Sequence, residues 1–201
     1  MRVDNSVIVG SNGKYQTRNP IGRLLLKGFD QAIISSIKAT KPSSVLEVGC
    51  GEGHVTELIL STNVSRVLAT DISDILVKEN AARVKDPRVT FQVQDVMSLS
   101  MRDQFDLVVC CEVLEHLDDP GQAVDILHSL NARNYLFSVP WEPIWRIMNM
   151  ARGAYLSDFG NSPGHLNHFS RKGFLKLIER KFVVTELRKP LPWTVGLCHR
   201  R

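Results

Sequence analysis

The chain lacks several features that would narrow its class at once. None of its apolar runs approaches the ~20 residues that a membrane-spanning helix needs. Residues Met1 to Lys14 are polar, with no apolar stretch ahead of a small-residue cleavage site, so no secretory leader is read there. Cys50, Cys110, Cys111 and Cys198 form no C-x-x-C pair, and three of them fall in or beside predicted strands. That pattern argues against a disulfide scaffold or a zinc ribbon and fits reduced, buried thiols in a cytoplasmic protein. Internal repeats and low-complexity segments are absent.

A formal net charge of +4 is too small to mark a dedicated nucleic-acid binder. The excess gathers at Arg171, Lys172, Lys176, Arg180, Lys181 and His199-Arg200-Arg201, which read as a solvated helix face and tail or as a patch for an anionic partner. With 201 residues, 43% of them hydrophobic and 23% charged, the chain can form one domain with a continuous core.

Ser44 to His54 read Ser-Val-Leu-Glu-Val-Gly-Cys-Gly-Glu-Gly-His. The apolar run Val45 to Val48 reads as a buried strand, and the helical pattern of Val55 to Leu60 follows Gly49, Gly51 and Gly53. A glycine turn there lets the backbone approach a ligand closely, while the first helical N–H groups can receive an anionic group. The dinucleotide fingerprint fails by one residue, because its third glycine falls on His54. Taken alone, the glycine trio is equally a structural strand-to-helix turn.

Further along, Ile21 to Lys38 has helical spacing through Leu24, Leu25, Phe29, Ala32, Ile33 and Ile37 and stops at Lys41-Pro42. Residues 1–18 read as an arm over the ligand or a flexible lead. Strands are predicted at Arg66–Asp71, Val89–Val93, Phe105–Cys111, Asn134–Val139, Phe182–Leu187 and Trp193–Cys198. Helices are predicted at Asp74–Val84, Gly121–Leu130 and Phe169–Arg180. Asp71 closes the second strand about one βαβ crossover after Gly49, where an acid accepts hydrogen bonds from ribose hydroxyls; Asp95 closes the third at another sheet edge.

With its acid two residues before the first glycine, the segment Glu47-x-Gly49-x-Gly51-x-Gly53 resembles the first motif of class I S-adenosylmethionine-dependent methyltransferases. Glu112-Val-Leu-Glu-His116 resembles the fourth-strand motif of the small-molecule branch, including quinone-pathway enzymes. The resemblance is strong from Ser43 to Pro140. It implies a Rossmann-like α/β fold with a seven-stranded, mostly parallel sheet, an antiparallel C-terminal strand and helices on both faces. It implies S-adenosyl-L-methionine as cofactor and S-adenosyl-L-homocysteine as product. Its implied contacts are Glu47, Gly49, Cys50, Gly51 and Gly53 at the turn, Asp71 and Ile72 at the ribose, Asp95 and Val96 at the adenine, and Cys111, Glu112 and His116 after the fourth strand. The Asp/Asn-Pro-Pro-aromatic and Pro-Cys signatures of base-methylating enzymes are absent there, which argues against base methylation.

Between the fifth strand and Tyr155, Trp141, Ile144, Trp145, Met148 and Ala151 recur at helical steps. This insertion reads as a helix ending near Gly153 that packs on the core, covers a substrate through Trp141, Trp145 and Tyr155, or touches lipid beside Arg146 and Arg152. The loop Asp158–Asn167 leads into His168, and His165, His168 and His116 are the candidate bases or acceptor contacts. No metal is expected, because the pair His165 and His168 has no third ligand at a recognisable spacing.

The domain reading is one unit: an arm and cap helix over 1–42, a cofactor core over 43–140, an insertion and acceptor loop over 141–168, and a C-terminal helix and strand pair over 169–201. The expected function is methylation of a small molecule, at a hydroxyl or carboxyl that is free or linked to lipid or glycan. Peripheral membrane contact stays open, as does oligomeric state. RNA methylation and a non-catalytic, methyltransferase-like interaction subunit are the rival readings.

Overall fold

The computed structural model describes residues 19–100 and 104–201, so the predicted arm over 1–18 lies outside the described residues. Seven strands form one sheet in the order β3-β2-β1-β4-β5-β7-β6. They are β1 (Ser44–Val48), β2 (Arg66–Asp71), β3 (Val89–Val93), β4 (Leu107–Cys111), β5 (Asn134–Pro140), β6 (Phe182–Arg188) and β7 (Trp193–Arg200). Strands β1 to β5 pair in parallel, while β7 runs antiparallel to both β5 and β6, in agreement with the expected topology.

Strand periodicity sorts the core onto two faces. Leu46, Val48, Val108, Cys110, Tyr135 and Phe137 point to the side of α4 (Pro120–Ser129) and α6 (Arg171–Ile178). Val45, Val67, Leu107, Val109 and Cys111 point to the side of α1 (Pro20–Thr40) and α2 (His54–Leu60). Alternation therefore carries Glu47 to the α1/α2 side with Val45.

Helix α1 starts where Asn19 Oδ1 accepts the N–H of Ile21 at 2.9 Å, ahead of Pro20 in the first turn, and it ends at Lys41 in the left-handed region. Phe29, Ile33 and Ile37 are its buried face. Leu24, predicted on that face, is instead 70% exposed. At about 100° per residue it lies roughly opposite Ile33 across the helix. Helix α3 (Asp74–Arg83) is capped by Ser73, whose hydroxyl accepts from Leu76 N–H.

The insertion helix α5 is shorter than predicted, Ile144–Ala151. A residue before proline disfavours helical φ/ψ, so Glu142-Pro143 sets the start, and Gly153 turns at φ +74° after the end. Trp141 and Tyr155 thus lie outside the helix. Its buried face is Trp145 with Asn149, one turn apart, whereas Ala151 is exposed.

Candidate active site

The C-terminal ends of β1, β2 and β4 lie side by side, and the glycine turn rises from this edge. Gly49 N–H and Cys50 N–H both donate to Thr70 O, at 2.8 and 2.9 Å, which pins the turn to β2. Gly49 has φ +75°, and a Cβ added there would collide with Cγ2 of Val113, so only glycine fits. Gly51 has φ +51° but faces open space, with nothing within 4 Å of an added Cβ.

Both ends of the Gly51 residue are held. Its N–H donates to Asp71 Oδ2 at 2.8 Å and its carbonyl accepts from Asn80 Nδ2 at 2.7 Å. Asp71 Oδ1 also accepts from Ser73 N–H at 2.9 Å, and half-buried Ile72 lies between them. A carboxylate offers about four lone-pair sites, so Asp71 retains acceptor capacity for hydroxyls after these two bonds. Sequence reasoning missed Asn80; it is a buried asparagine within a helix, and only the tertiary structure reveals its partner.

Glu47 is 2% exposed, and its Oε2 accepts from Thr56 Oγ1 on α2 at 2.6 Å. Burial pushes its carboxyl up to about 8, with the Thr56 hydrogen bond opposing and the Asp71 charge adding to the rise. At neutral pH this group carries a proton and ties β1 to α2. Cys50 is buried, and burial with the nearby Glu47 and Asp71 charges raises its thiol pKa, which keeps it protonated. Asp95 caps the short turn Val96–Ser98, its Oδ1 accepting from Met97 N–H at 2.9 Å, and Val96 packs into the core. The helix after Asp71 is capped by Ser73, which leaves the Asp71 side chain to the glycine turn.

Cys111 ends β4 on the α1/α2 side, and burial raises its thiol pKa well above the ordinary value. The next residue, Glu112, has φ +59°, a costly conformation for a non-glycine residue. Three hydrogen bonds hold it there. Its N–H donates to Ser138 O at 3.0 Å, Oε1 accepts from Ser138 Oγ at 3.0 Å, and Oε2 accepts from Trp193 Nε1 at 2.8 Å. Neither Ser138 nor Trp193 carried a sequence signal for this role, because their partner is 26 and 81 residues away.

The three candidate histidines do not act as one group. His116 and His165 meet edge to face, with ring centroids 4.9 Å apart. His116 Nδ1 is 2.8 Å from Gly164 O and donates to it. His168 is separate, with Nδ1 3.9 Å from Glu142 Oε1. Burial raises the Glu142 carboxyl, while Arg146 N–H, His168 and the Arg146 charge oppose the rise.

Of the predicted substrate contacts, Trp145 is 9% exposed. It lies against Trp193 at 5.6 Å and stacks near His165 at 6.0 Å, and its Nε1 donates to Ser162 Oγ at 2.8 Å. Trp141 has its ring covered by the Arg171 guanidinium, 3.4 Å from the centroid. Tyr155 sits in the left-handed region and its carbonyl accepts from Gly160 N–H at 2.8 Å. The insertion therefore packs as a built part of the domain, with Ile147, Met150, Leu156 and Phe159 exposed along it.

Strand order, a glycine turn after β1 and an acid at the end of β2 that touches that turn together define the class I methyltransferase architecture. Residues 46–131 match the family model described as "Methyltransferase domain", and the fold and motifs of this core are those of the S-adenosylmethionine-dependent class I methyltransferases. It is 33% identical over 115 residues to a ubiquinone biosynthesis O-methyltransferase of Coxiella burnetii, covering 56% of this chain and 47% of that protein. It is 31% identical over 102 residues to nodulation protein S of Rhizobium tropici, covering 50% and 41%. The chain thus spans about half the length, or less, of these curated relatives. Among solved structures, the N-methyltransferase NodS of Bradyrhizobium japonicum in complex with S-adenosyl-L-homocysteine superposes with a TM-score of 0.70 at 16% identity, covering 98% and 95% of the two chains.

The residues present fit S-adenosylmethionine, the cofactor of this family. The open face at Gly51 admits a ligand against the backbone, and Asp71 presents a half-buried carboxylate beside it. None of the described helices is long and apolar enough to cross a membrane.

Proposed function

We propose that the protein transfers a methyl group from S-adenosyl-L-methionine to an oxygen atom of a small-molecule acceptor. The observation that carries the reading is the Gly51–Asp71 pair, which joins an open glycine backbone to the β2 carboxylate at 2.8 Å. When bound, the cofactor supplies a sulfonium-activated methyl carbon for in-line displacement. The chain's own task is alignment, which can remove roughly 7 to 11 kcal/mol of a bimolecular barrier. In this reading Asp71 holds the ribose, Asp95 and Val96 border the adenine, and Glu47 and Thr56 keep the turn rigid.

Oxygen is favoured over nitrogen by the imidazole pair after β4. A hydroxyl acceptor must give up its proton, whereas a neutral amine can attack first, and an imidazole group is suited to receive that proton. The similarity to the Coxiella O-methyltransferase supports the same choice, while nodulation protein S of Rhizobium tropici is matched at a comparable 31% identity and the 16% identical Bradyrhizobium N-methyltransferase NodS speaks to the fold alone. The exposed Ile147, Met150, Leu156 and Phe159 would accept an apolar part of the acceptor, such as a lipid chain.

The test is a labelled-methyl transfer assay against panels of phenols and catechols, carboxylic acids, and amines. Transfer to an oxygen acceptor, reduced by His165→Ala more than cofactor affinity is, supports the proposal. Transfer to amines alone would refute it.

A further inference from the structure

We propose that Arg171, laid against the ring of Trp141 beside the end of β5, binds an anionic group, a carboxylate or a phosphate, carried by the acceptor. Among the described arginines, Arg88, Arg146, Arg171 and Arg188 are half-buried. All but one of these have an oxygen to donate to. Arg88 reaches Asp86 Oδ2 at 2.7 Å and the carbonyls of Leu60, Thr62 and Val64. Arg146 Nε donates to Phe159 O at 2.9 Å, and Arg188 pairs with Glu186 Oε1 at 2.7 Å. Arg171 makes no ion pair or hydrogen bond among the described residues; its Nε is enclosed without an acceptor, and its guanidinium carbon sits 3.4 Å from the centre of the Trp141 ring.

A guanidinium drawn out of water calls for a counter-charge. Burial lowers the Arg171 pKa, and no neighbouring acid opposes that shift. Glu142 follows Trp141 in the chain, yet the charges that act on its carboxyl are those of His168 and Arg146. The positive charge of Arg171 is thus left for a ligand.

Stacking occupies the flat face of the guanidinium and holds its plane, which leaves the fork of N–H donors at its edge unspent. Because Nε is enclosed, the outer edge with Nη1 and Nη2 is the side a ligand meets. Two parallel N–H donors match two oxygens of a carboxylate or phosphate, and a plane set in advance reduces the entropy lost on binding.

The position suits an acceptor. Glu112 N–H, after β4, donates to Ser138 O, and Trp141 lies three positions beyond Ser138, at most about 11 Å of chain. An anionic group at Arg171 would stand about one aromatic ring or a short chain from the cofactor edge. Pairing with a guanidinium draws electron density from that group, so it anchors the acceptor while a different oxygen takes the methyl group. That the anion belongs to the acceptor rests on the methyl-transfer reading; that Arg171 binds an anion does not.

Two measurements on the full chain read the site, the first without turnover. In ¹H–¹⁵N spectra, the Arg171 Nε–H resonance is assigned by its loss in Arg171→Lys. Benzoate, phenyl phosphate or both should shift it saturably, and benzamide should leave it in place; the anion that shifts it identifies the group. A resonance moved by neither anion overturns the site. In labelled-methyl transfer, hydroxybenzoate or hydroxyphenyl phosphate should exceed hydroxybenzamide about 10-fold or more in kcat/KM. Arg171→Gln should remove that preference through KM, and Arg171→Lys, which keeps the charge without the fork, should restore part of it. Replacing the exposed neighbour in Lys172→Gln should preserve it. Equal use of anionic and neutral compounds by wild type, or a preference that survives Arg171→Gln, overturns the assignment to the acceptor. Methyl transfer with no anion-induced shift refutes only this site, whereas a shift in a chain that methylates no member of the panel supports the site and counts against the function proposed above.

Discussion

Asp71 Oδ2 accepts the backbone N–H of Gly51 at 2.8 Å, so the carboxylate that we propose holds the ribose also fixes the glycine turn beside it. A second N–H, from Ser73, reaches Oδ1. Asp71→Ala removes both bonds, each a charge-assisted contact of about 1.5 to 3 kcal/mol. Because water reaches the freed N–H groups at this half-buried position, stability should fall by less than the sum, about 2 to 4 kcal/mol in urea denaturation, with S-adenosylhomocysteine affinity reduced about 100-fold or more in calorimetry. Asp71→Asn, which keeps one acceptor oxygen, should lose less stability.

Gly49 and Gly51 should separate folding from binding. Gly49→Ala drives a Cβ into Val113 at a positive φ, and its midpoint of unfolding should drop by the equivalent of about 2 kcal/mol or more. Gly51→Ala meets open space and costs about 1 kcal/mol for its backbone conformation, yet its methyl group occupies the face offered to the ligand. It should remain folded while losing cofactor affinity. Equal cofactor binding by Gly51→Ala and wild type would place the ligand elsewhere.

Glu47 gives stability a defined pH dependence. Folded Glu47 keeps its proton up to about 8, whereas the unfolded chain releases it near 4.5. Between those values the folded state binds more protons than the unfolded state. Its contribution is therefore complete below about 4.5, declines as pH rises toward 8 and levels off above it. The slope of this component approaches about 1.4 kcal/mol per pH unit. Denaturation of wild type and Glu47→Gln at pH 5.5, 7 and 8.5 reads it, with the Gln variant expected to lose less stability across the range. Parallel curves would contradict the buried-acid assignment.

Much of this was legible in the sequence because it is local. The β1 strand, the glycine turn and Asp71 lie within one crossover, and periodicity separated strands from helices along the core. Ser170 caps α6, accepting from Gly173 N–H at 3.0 Å, a serine-before-helix pattern that is itself local. What escaped was tertiary. Asn80 reaches Gly51, Trp193 reaches Glu112, and His165 reaches His116, all between residues with no common pattern. The insertion was misjudged in length because aromatic spacing continued through Glu142-Pro143, where the backbone could not.

The most direct test of the central claim is calorimetric titration of the purified chain with S-adenosylmethionine and S-adenosylhomocysteine, with NAD as control. Micromolar, one-to-one binding of both, absence of NAD binding, and loss of the signal in Asp71→Ala is the predicted result. A folded chain that binds neither sulfur ligand, or binds NAD in their place, would contradict a cofactor site at the Gly51–Asp71 edge.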